Sequence, residues 1–310
     1  MKKILELRIG SHLYGTNTLT SDEDYSGVFI PSEDYVFGLL TVNEVDESVV
    51  SKLATNKNSP DAIDKKFYEL RRFLKLAMDN NPNVIEQVFV NSENIISIDK
   101  YGQLILDNAL LFPYKGLTPK FLGYASGQKK RMQVKPENHS ALEIGLEYLK
   151  NKHEKLRLVD VLNEDGCIKT IERMEYCVKI GDMQFPFNTL VKHATKKIQE
   201  RLDTASYRTK MYDLYGYDTK YASHIIRLLE EGIELVETGK LTFPLKSKDV
   251  ILDIKAGKYK LNEVIELSEY LEEKFKVVDA KSMLPSKPNF DAINGLAKHI
   301  LQDYFNVKKK

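Results

Sequence analysis

The stretch RIGSHLYGTNTLTSDEDYSGVFIP, residues 8 to 31, sets a Gly10-Ser11 corner ahead of Asp22-Glu23-Asp24, and the acids lead into the apolar run Val28-Phe29-Ile30. Residues 22 to 30 read as a strand ended by Pro31. Side chains two apart on a strand share a face, so Asp22 and Asp24 project together while Glu23 points away. Neighbouring carboxylates repel unless a divalent cation lies between them. All-oxygen ligation suits Mg²⁺, which takes one or two protein carboxylates plus substrate phosphates; Mn²⁺ is the alternative ion. Two such ions about 4 Å apart activate an attacking hydroxyl and stabilise a leaving pyrophosphate. Gly10 permits a tight corner and Ser11 offers hydroxyl and amide to phosphate oxygens. A helix starting there would add free N–H groups. Each motif alone recurs in ordinary turns; the combination at this spacing points to a metal and phosphate site.

The rest of the chain narrows the class. Its 310 residues allow one large or two medium domains, and 42% hydrophobic with 29% charged residues is a soluble globular profile. No apolar run is long enough to span a bilayer, and MKKILELRIG lacks the extended apolar region of a signal peptide. Two cysteines, Cys167 and Cys177, make neither a disulfide framework nor a four-ligand zinc site, so a reducing cytoplasm is the expected setting. The formal charge of +1 gives no global drive toward nucleic acid, and Lys308-Lys309-Lys310 reads as a solvated tail. His139, His153, His193 and His299 show no metal-ligand spacing. No P-loop, Rossmann or G-x-S-x-G pattern is present.

Residues 4 to 10 read as a short strand, 44 to 62 as a polar irregular segment, and Phe67 to Met78 as a helix stopping before Asn80-Asn81-Pro82. A helix follows at 104–111; Pro113, Gly116 and Pro119 then break the pattern and place the expected boundary between domains 1–115 and 116–310. Beyond it the chain is mainly helical, apart from a hairpin over Cys177 to Phe187 turning at Gly181-Asp182 and strand-like pieces at 241–245 and 249–254. Helices are expected at 262–278 and 291–304. The fold class is therefore α+β: a small mixed twisted sheet with flanking helices, joined to a mainly helical C-terminal domain.

Gly10-Ser11 followed by Asp22-x-Asp24 resembles the signature of the DNA polymerase β-like nucleotidyltransferase superfamily. GSHLYGT…SDEDYSGVFIP, ELRRFLKLAMDNNPNVIEQVF, KYASHIIRLLEEGIELVETGKLTFPL and SMLPSKPNF, in order along most of the chain, are similar to the RNA-repair-pathway nucleotidyltransferases. The resemblance implies NTP and Mg²⁺, and transfer of a nucleoside monophosphate with loss of pyrophosphate. It leaves the acceptor open. His12 departs from it, standing where an arginine is expected; it reads either as a phosphate contact with pH-dependent charge or as a polar residue at a helix start.

Two-metal nucleotidyl transfer calls for a third acid. Asp61, Asp64 and Glu69 are the candidates; Asp64, after Ala62-Ile63 on a presumed strand, is preferred, with Asp46 and Glu47 as earlier alternatives. On a helical wheel over 220–236, Lys220, His224 and Arg227 fall in a narrow stripe with Glu231, opposite an apolar arc. The stripe is either a solvated face or a contact for NTP phosphates or an RNA acceptor. Lys129-Lys130-Arg131 with Tyr124 reads chiefly as an exposed helix end, and Tyr207, Arg208, Tyr212 and Tyr215 as core plus rim. The expected function is a Mg²⁺-dependent nucleotidyltransferase with two ions. Asp22, Asp24 and Asp64 serve as ligands and catalytic acids, and Gly10, Ser11, His12, Lys220, His224 and Arg227 face the nucleotide. The expected acceptor is a tRNA or other RNA 3′ end; the alternatives are a protein partner, as in toxin-antitoxin pairs, or a silent nucleotide- or RNA-binding module.

Overall fold

The computed structural model describes residues 1–19, 21–49, 63–132, 136–165 and 171–306. Strand β1 (Lys2–Arg8) leads into the short helix α1 (Gly10–Tyr14), and β2 (Glu23–Ile30) returns antiparallel, with Arg8 opposite Tyr25 and Lys2 opposite Ile30. After α2 (Glu33–Val36), β3 (Glu44–Asp46) pairs antiparallel with β4 (Ile63–Glu69), which lies parallel to β2. Helices α3 (Leu70–Met78) and α4 (Pro82–Ile85) precede β5 (Ile95–Ile98), which closes the five-stranded sheet in the order β3-β4-β2-β1-β5. Helix α5 (Lys100–Asp107) packs on β1 and β5.

The helix expected from Phe67 begins later. Phe67 is a fully buried strand residue opposite Gly27, and Glu69 ends the strand by capping α3, its Oε2 accepting the Arg72 N–H at 3.0 Å. The apolar spacing is satisfied by an alternating strand running straight into a helix, so periodicity alone misplaces the junction. The expected stop holds: α3 ends at Met78, and Asn81 Oδ1 accepts the Asn83 N–H at the start of α4.

Helices α6 (Leu117–Met132), α7 (Pro136–Lys150) and α8 (Leu158–Asp165) come next. A second sheet follows from β6 (Ile171–Arg173), β7 (Cys177–Ile180) and β8 (Met183–Pro186); Gly181 at φ +57° makes the expected turn between the last two. The chain ends in α9 (Val191–Tyr215), α10 (Thr219–Thr238), α11 (Lys248–Lys255), α12 (Leu261–Lys281) and α13 (Phe290–Tyr304). Helix α11 replaces the strand expected at 249–254. A run of Val250-Ile251-Leu252 suits either element, and here Ile251 and Ile254, one helical turn apart, are the buried pair.

Two compact units result. One gathers Met1–Leu53, Asn58–Met132 and Thr219–Lys310; the other is built chiefly on Gln133–Asp218. The first contains the five-stranded sheet, with α10 as its central helix, packed by α6, α11 and α12. The second has its own core, including Leu142, Val178, Phe185, Val191 and Ile198, where α7 packs on α9 and β7. Among the described residues no helix is long and apolar enough to cross a membrane.

Candidate active site

Parallel pairing of β2 with β4 sets Asp24 opposite Asp64, so the two project from one face on neighbouring strands. Asp22 lies one residue before β2 and acts electrostatically on Asp24. Burial, then Asp22, then Asp64, push the Asp24 carboxyl up to about 7, while Lys220 pulls it down. Asp24 is thus held where burial and two neighbouring acids oppose its ionisation. Asp64 is exposed, and its Oδ1 accepts from Ser48 Oγ at 3.1 Å. Ser48 in turn donates its N–H to Asp46 Oδ1 at 2.9 Å, linking Asp46 to Asp64 by one intermediary.

The other candidates for third acid are engaged elsewhere or undescribed. Glu47 is bonded to Lys3 at 2.7 Å, and Glu69 is a buried helix cap that also holds Arg71 at 2.7 Å. Asp61 lies outside the described residues.

The Gly10-Ser11 corner meets the acids directly. Ile9 N–H donates to Asp24 C=O at 2.8 Å, and Gly10 has φ +65°. A Cβ on Gly10 would fall on Asp24 Oδ2, so both the backbone conformation and the space demand glycine. Ser11 Oγ is buried and has no hydrogen-bond partner among the described residues. His12 turns to Glu23, with Nε2 and Oε1 3.7 Å apart, on the residue that alternates away from Asp22 and Asp24.

Helix α10 corrects the wheel. Lys220 is exposed near Asp24, but Arg227 and Glu231 are buried, 7% and 0% exposed. Arg227 Nη1 donates to Glu86 Oε2 at 2.9 Å and to Glu231 Oε2 at 2.9 Å, and its guanidinium stacks 4.6 Å from the Tyr14 ring centroid. Tyr14 donates its hydroxyl to Glu86 at 2.9 Å. A wheel records one helix's own pattern; the carboxylate of Glu86, 141 residues away, makes this polar side an interior one. His224 carries no charge near neutrality, since burial, then Arg227, Lys220 and Lys255, lower its pKa to about 3.

Lys255, at the end of α11, was not anticipated. Its ammonium donates to Thr16 C=O at 3.2 Å and Thr16 Oγ1 at 3.1 Å. Burial, Lys220 and Arg227 lower its pKa to about 8, while Asp22 and Asp24 oppose the shift. A single lysine in a run read as strand carries no sequence signal. The second basic cluster is accounted for in part: Lys129 lies 3.6 Å from Glu269, and Tyr124 accepts from Asn81 at 3.1 Å. The side chains of Tyr207 and Arg208 lie outside the described set.

Among the described residues no group of three or more His, Cys, Asp or Glu side chains is placed to hold a metal ion by itself. Asp22 and Asp64 each act electrostatically on Asp24, and Mg²⁺ commonly takes only one or two protein carboxylates, with substrate phosphates completing its shell. The raised Asp24 carboxyl fits a nearby cation, and the buried Ser11 hydroxyl, without a partner among the described residues, can donate to an anionic substrate.

The model of the RNA repair pathway DNA polymerase beta family matches residues 2–298. The chain belongs to that family. It is also 29% identical over 319 residues to an "Uncharacterized 38.9 kDa protein in nrdC-mobD intergenic region" of Enterobacteria phage T4, an alignment covering 93% of this chain and 91% of the relative. No solved structure matches. The family name carries polymerase β-like nucleotidyltransferase activity in an RNA repair pathway.

Proposed function

We propose that this family member is a cytoplasmic, Mg²⁺-dependent nucleotidyltransferase that moves a nucleoside monophosphate from an NTP to the 3′-hydroxyl of an RNA. The observation that supports it best is the parallel register of Asp24 with Asp64, beside Asp22 and against the Gly10 corner. Asp22 and Asp24, with Asp64, would hold the ions. Bound Mg²⁺ supplies charge neutralisation at the triphosphate and a lowered pKa for the attacking hydroxyl.

The chain's own residues do the rest. Ser11 and the backbone at Gly10 receive phosphate oxygens, and Lys220 and Lys255 place positive charge on the nucleotide side of Asp24. Asp64, with Oδ1 engaged by Ser48, offers its other oxygen to the acceptor hydroxyl and takes its proton. The acceptor oxygen bonds to the α-phosphorus, the α–β bridging bond breaks, and pyrophosphate leaves. Arg227 anchors Tyr14, and so the end of α1, against α10.

The test incubates the full chain with each labelled NTP, Mg²⁺ and total small RNA, then reads labelled 3′ ends. The doubly substituted Asp22→Asn, Asp24→Asn chain should fold and transfer nothing. Undiminished incorporation by that variant rules the reading out, and label on a protein instead of RNA replaces the acceptor.

A further inference from the structure

The second unit carries a groove of its own, a cavity of about 670 Å³ between the edge strand β8, the connection 187–190 and the start of α9. Met183, Pro186 and Leu190 give it an apolar side, and Gln184, Asn188, His193 and Lys197 a polar one. Its volume suits one or two nucleotide-sized groups.

Two features say what it takes. The first is charge. Residues 183 to 199 contain three lysines and no acid, in a chain whose formal charge is only +1. The backbone widens this basic surface. Leu158 N–H donates to Thr189 C=O at 2.9 Å, Val191 N–H to Leu156 C=O at 2.9 Å and Lys192 N–H to Glu154 C=O at 3.1 Å. The 154–158 segment therefore runs alongside, bringing Lys155 and Arg157 with the single acid Glu154. Lys155, Arg157, Lys192 and Lys197 are exposed, and none has a side-chain partner among the described residues. Cations that no acid answers within the protein are available to an anion. A cavity between α7 and α9 in the same unit is the counter-example: Glu143, Glu147 and Asp203 line it, and its Lys150 donates to Gln199 at 3.1 Å.

The second feature is what the edge of β8 refuses. A peptide docks on an edge strand by adding a strand of its own. Here the strand has four residues and ends in Pro186, which has no N–H to give, and at its other end Asp182 is paired with Arg201 at 2.5 Å. What remains for a ligand is side-chain chemistry. The amides of Gln184 and Asn188 are exposed, have no partner among the described residues, and can both donate to and accept from base edges.

We propose that this groove binds a single-stranded polynucleotide, with Arg157, Lys192 and Lys197 on its phosphates and a base laid against Pro186, Leu190 and His193. It stands independently of the transferase reading, since it uses no residue of the Asp24 site.

The test is binding in the absence of NTP and metal. Short 5′-fluorescein oligouridylate, oligothymidylate and an abasic strand of the same length are titrated with the full chain by anisotropy. A base-bearing strand of either sugar should bind with an affinity that falls as salt rises, and the abasic strand about tenfold more weakly. Arg157→Glu and Lys197→Glu should each weaken binding about tenfold and flatten the slope of log K against log salt by about 0.7. Lys298→Glu makes the same charge change on an exposed residue of α13 and should stay within about twofold. No binding of either base-bearing strand, equal binding of the abasic strand, or an equal loss in Lys298→Glu overturns the groove. An oligoglutamate of matching charge that binds as tightly overturns it as well, in favour of an acidic peptide. Labelled RNA 3′ ends formed despite such a failure leave the transferase standing, whereas groove binding without transfer from any NTP upholds the groove and removes the transferase.

Discussion

Arg227 in the middle of α10 and Lys255 at the end of α11 are both largely withdrawn from water, yet they are held in opposite ways. Arg227 is met by Glu86 and Glu231 and stacked on Tyr14, and its neighbours hold its charge more firmly than water would. Lys255 donates to the neutral Thr16, and its proton is loosened to about 8. The difference separates a cation matched inside the protein from one left available to a ligand. Charge that is matched within the protein has little left for a ligand, whereas a desolvated ammonium facing Asp22 and Asp24 gains when a triphosphate arrives. By this measure Arg227 belongs to the frame, whereas Lys220, at the start of α10, and Lys255 are the cations assigned to the proposed nucleotide side.

The comparison can be broken in several places. The largest effect is expected from the acids that oppose Lys255: the Asp22→Asn, Asp24→Asn chain should lose transfer by about a thousandfold or more in a labelled-NTP assay, with an intact far-UV spectrum. Gly10→Ala should cost activity about a hundredfold, because the new methyl displaces the Asp24 carboxylate, and should lower stability by about 1–3 kcal/mol in urea. Arg227→Met should act on stability first. It strands two buried carboxylates, and urea unfolding should show a loss of about 3–5 kcal/mol. Lys255→Met should do the reverse: KM for NTP rises about tenfold while the urea midpoint holds or increases, since a desolvated charge is removed. A loss of stability for Lys255→Met larger than that for Arg227→Met would invert the assignment.

The smallest effect is in pH. His224, one turn before Arg227, has a folded pKa of about 3, below its ordinary value near 6.5. The unfolded chain therefore binds the extra proton first, and its contribution to stability, full above about 6.5, is lost as pH falls toward 3. Between pH 7 and 5 that amounts to about 2 kcal/mol, and His224→Gln should remove this part of the acid sensitivity in urea titrations.

The legible and illegible parts of the site divide by range. Gly10, Ser11, Asp22 and Asp24 stand out as candidates because a corner and an alternating strand are local, and the register of Asp24 with Asp64 agrees with the short strand expected at Asp64. The junction at Glu69 is hidden, since an alternating strand and a helix share the same apolar residues across it. Arg227 looks like a surface residue on its own helix because nothing local announces Glu86. Lys255 is hidden twice: its helix resembles a strand, and its value lies in distant acids.

The central claim is that Asp22, Asp24 and Asp64 share divalent ions. Titrating the full chain with Mn²⁺ in the presence of a non-hydrolysable NTP analogue, and reading free ion by electron paramagnetic resonance, tests it most directly. The account predicts saturable binding that is lost in the Asp22→Asn, Asp24→Asn chain and weakened in Asp64→Asn. Unchanged Mn²⁺ affinity in both variants would contradict it.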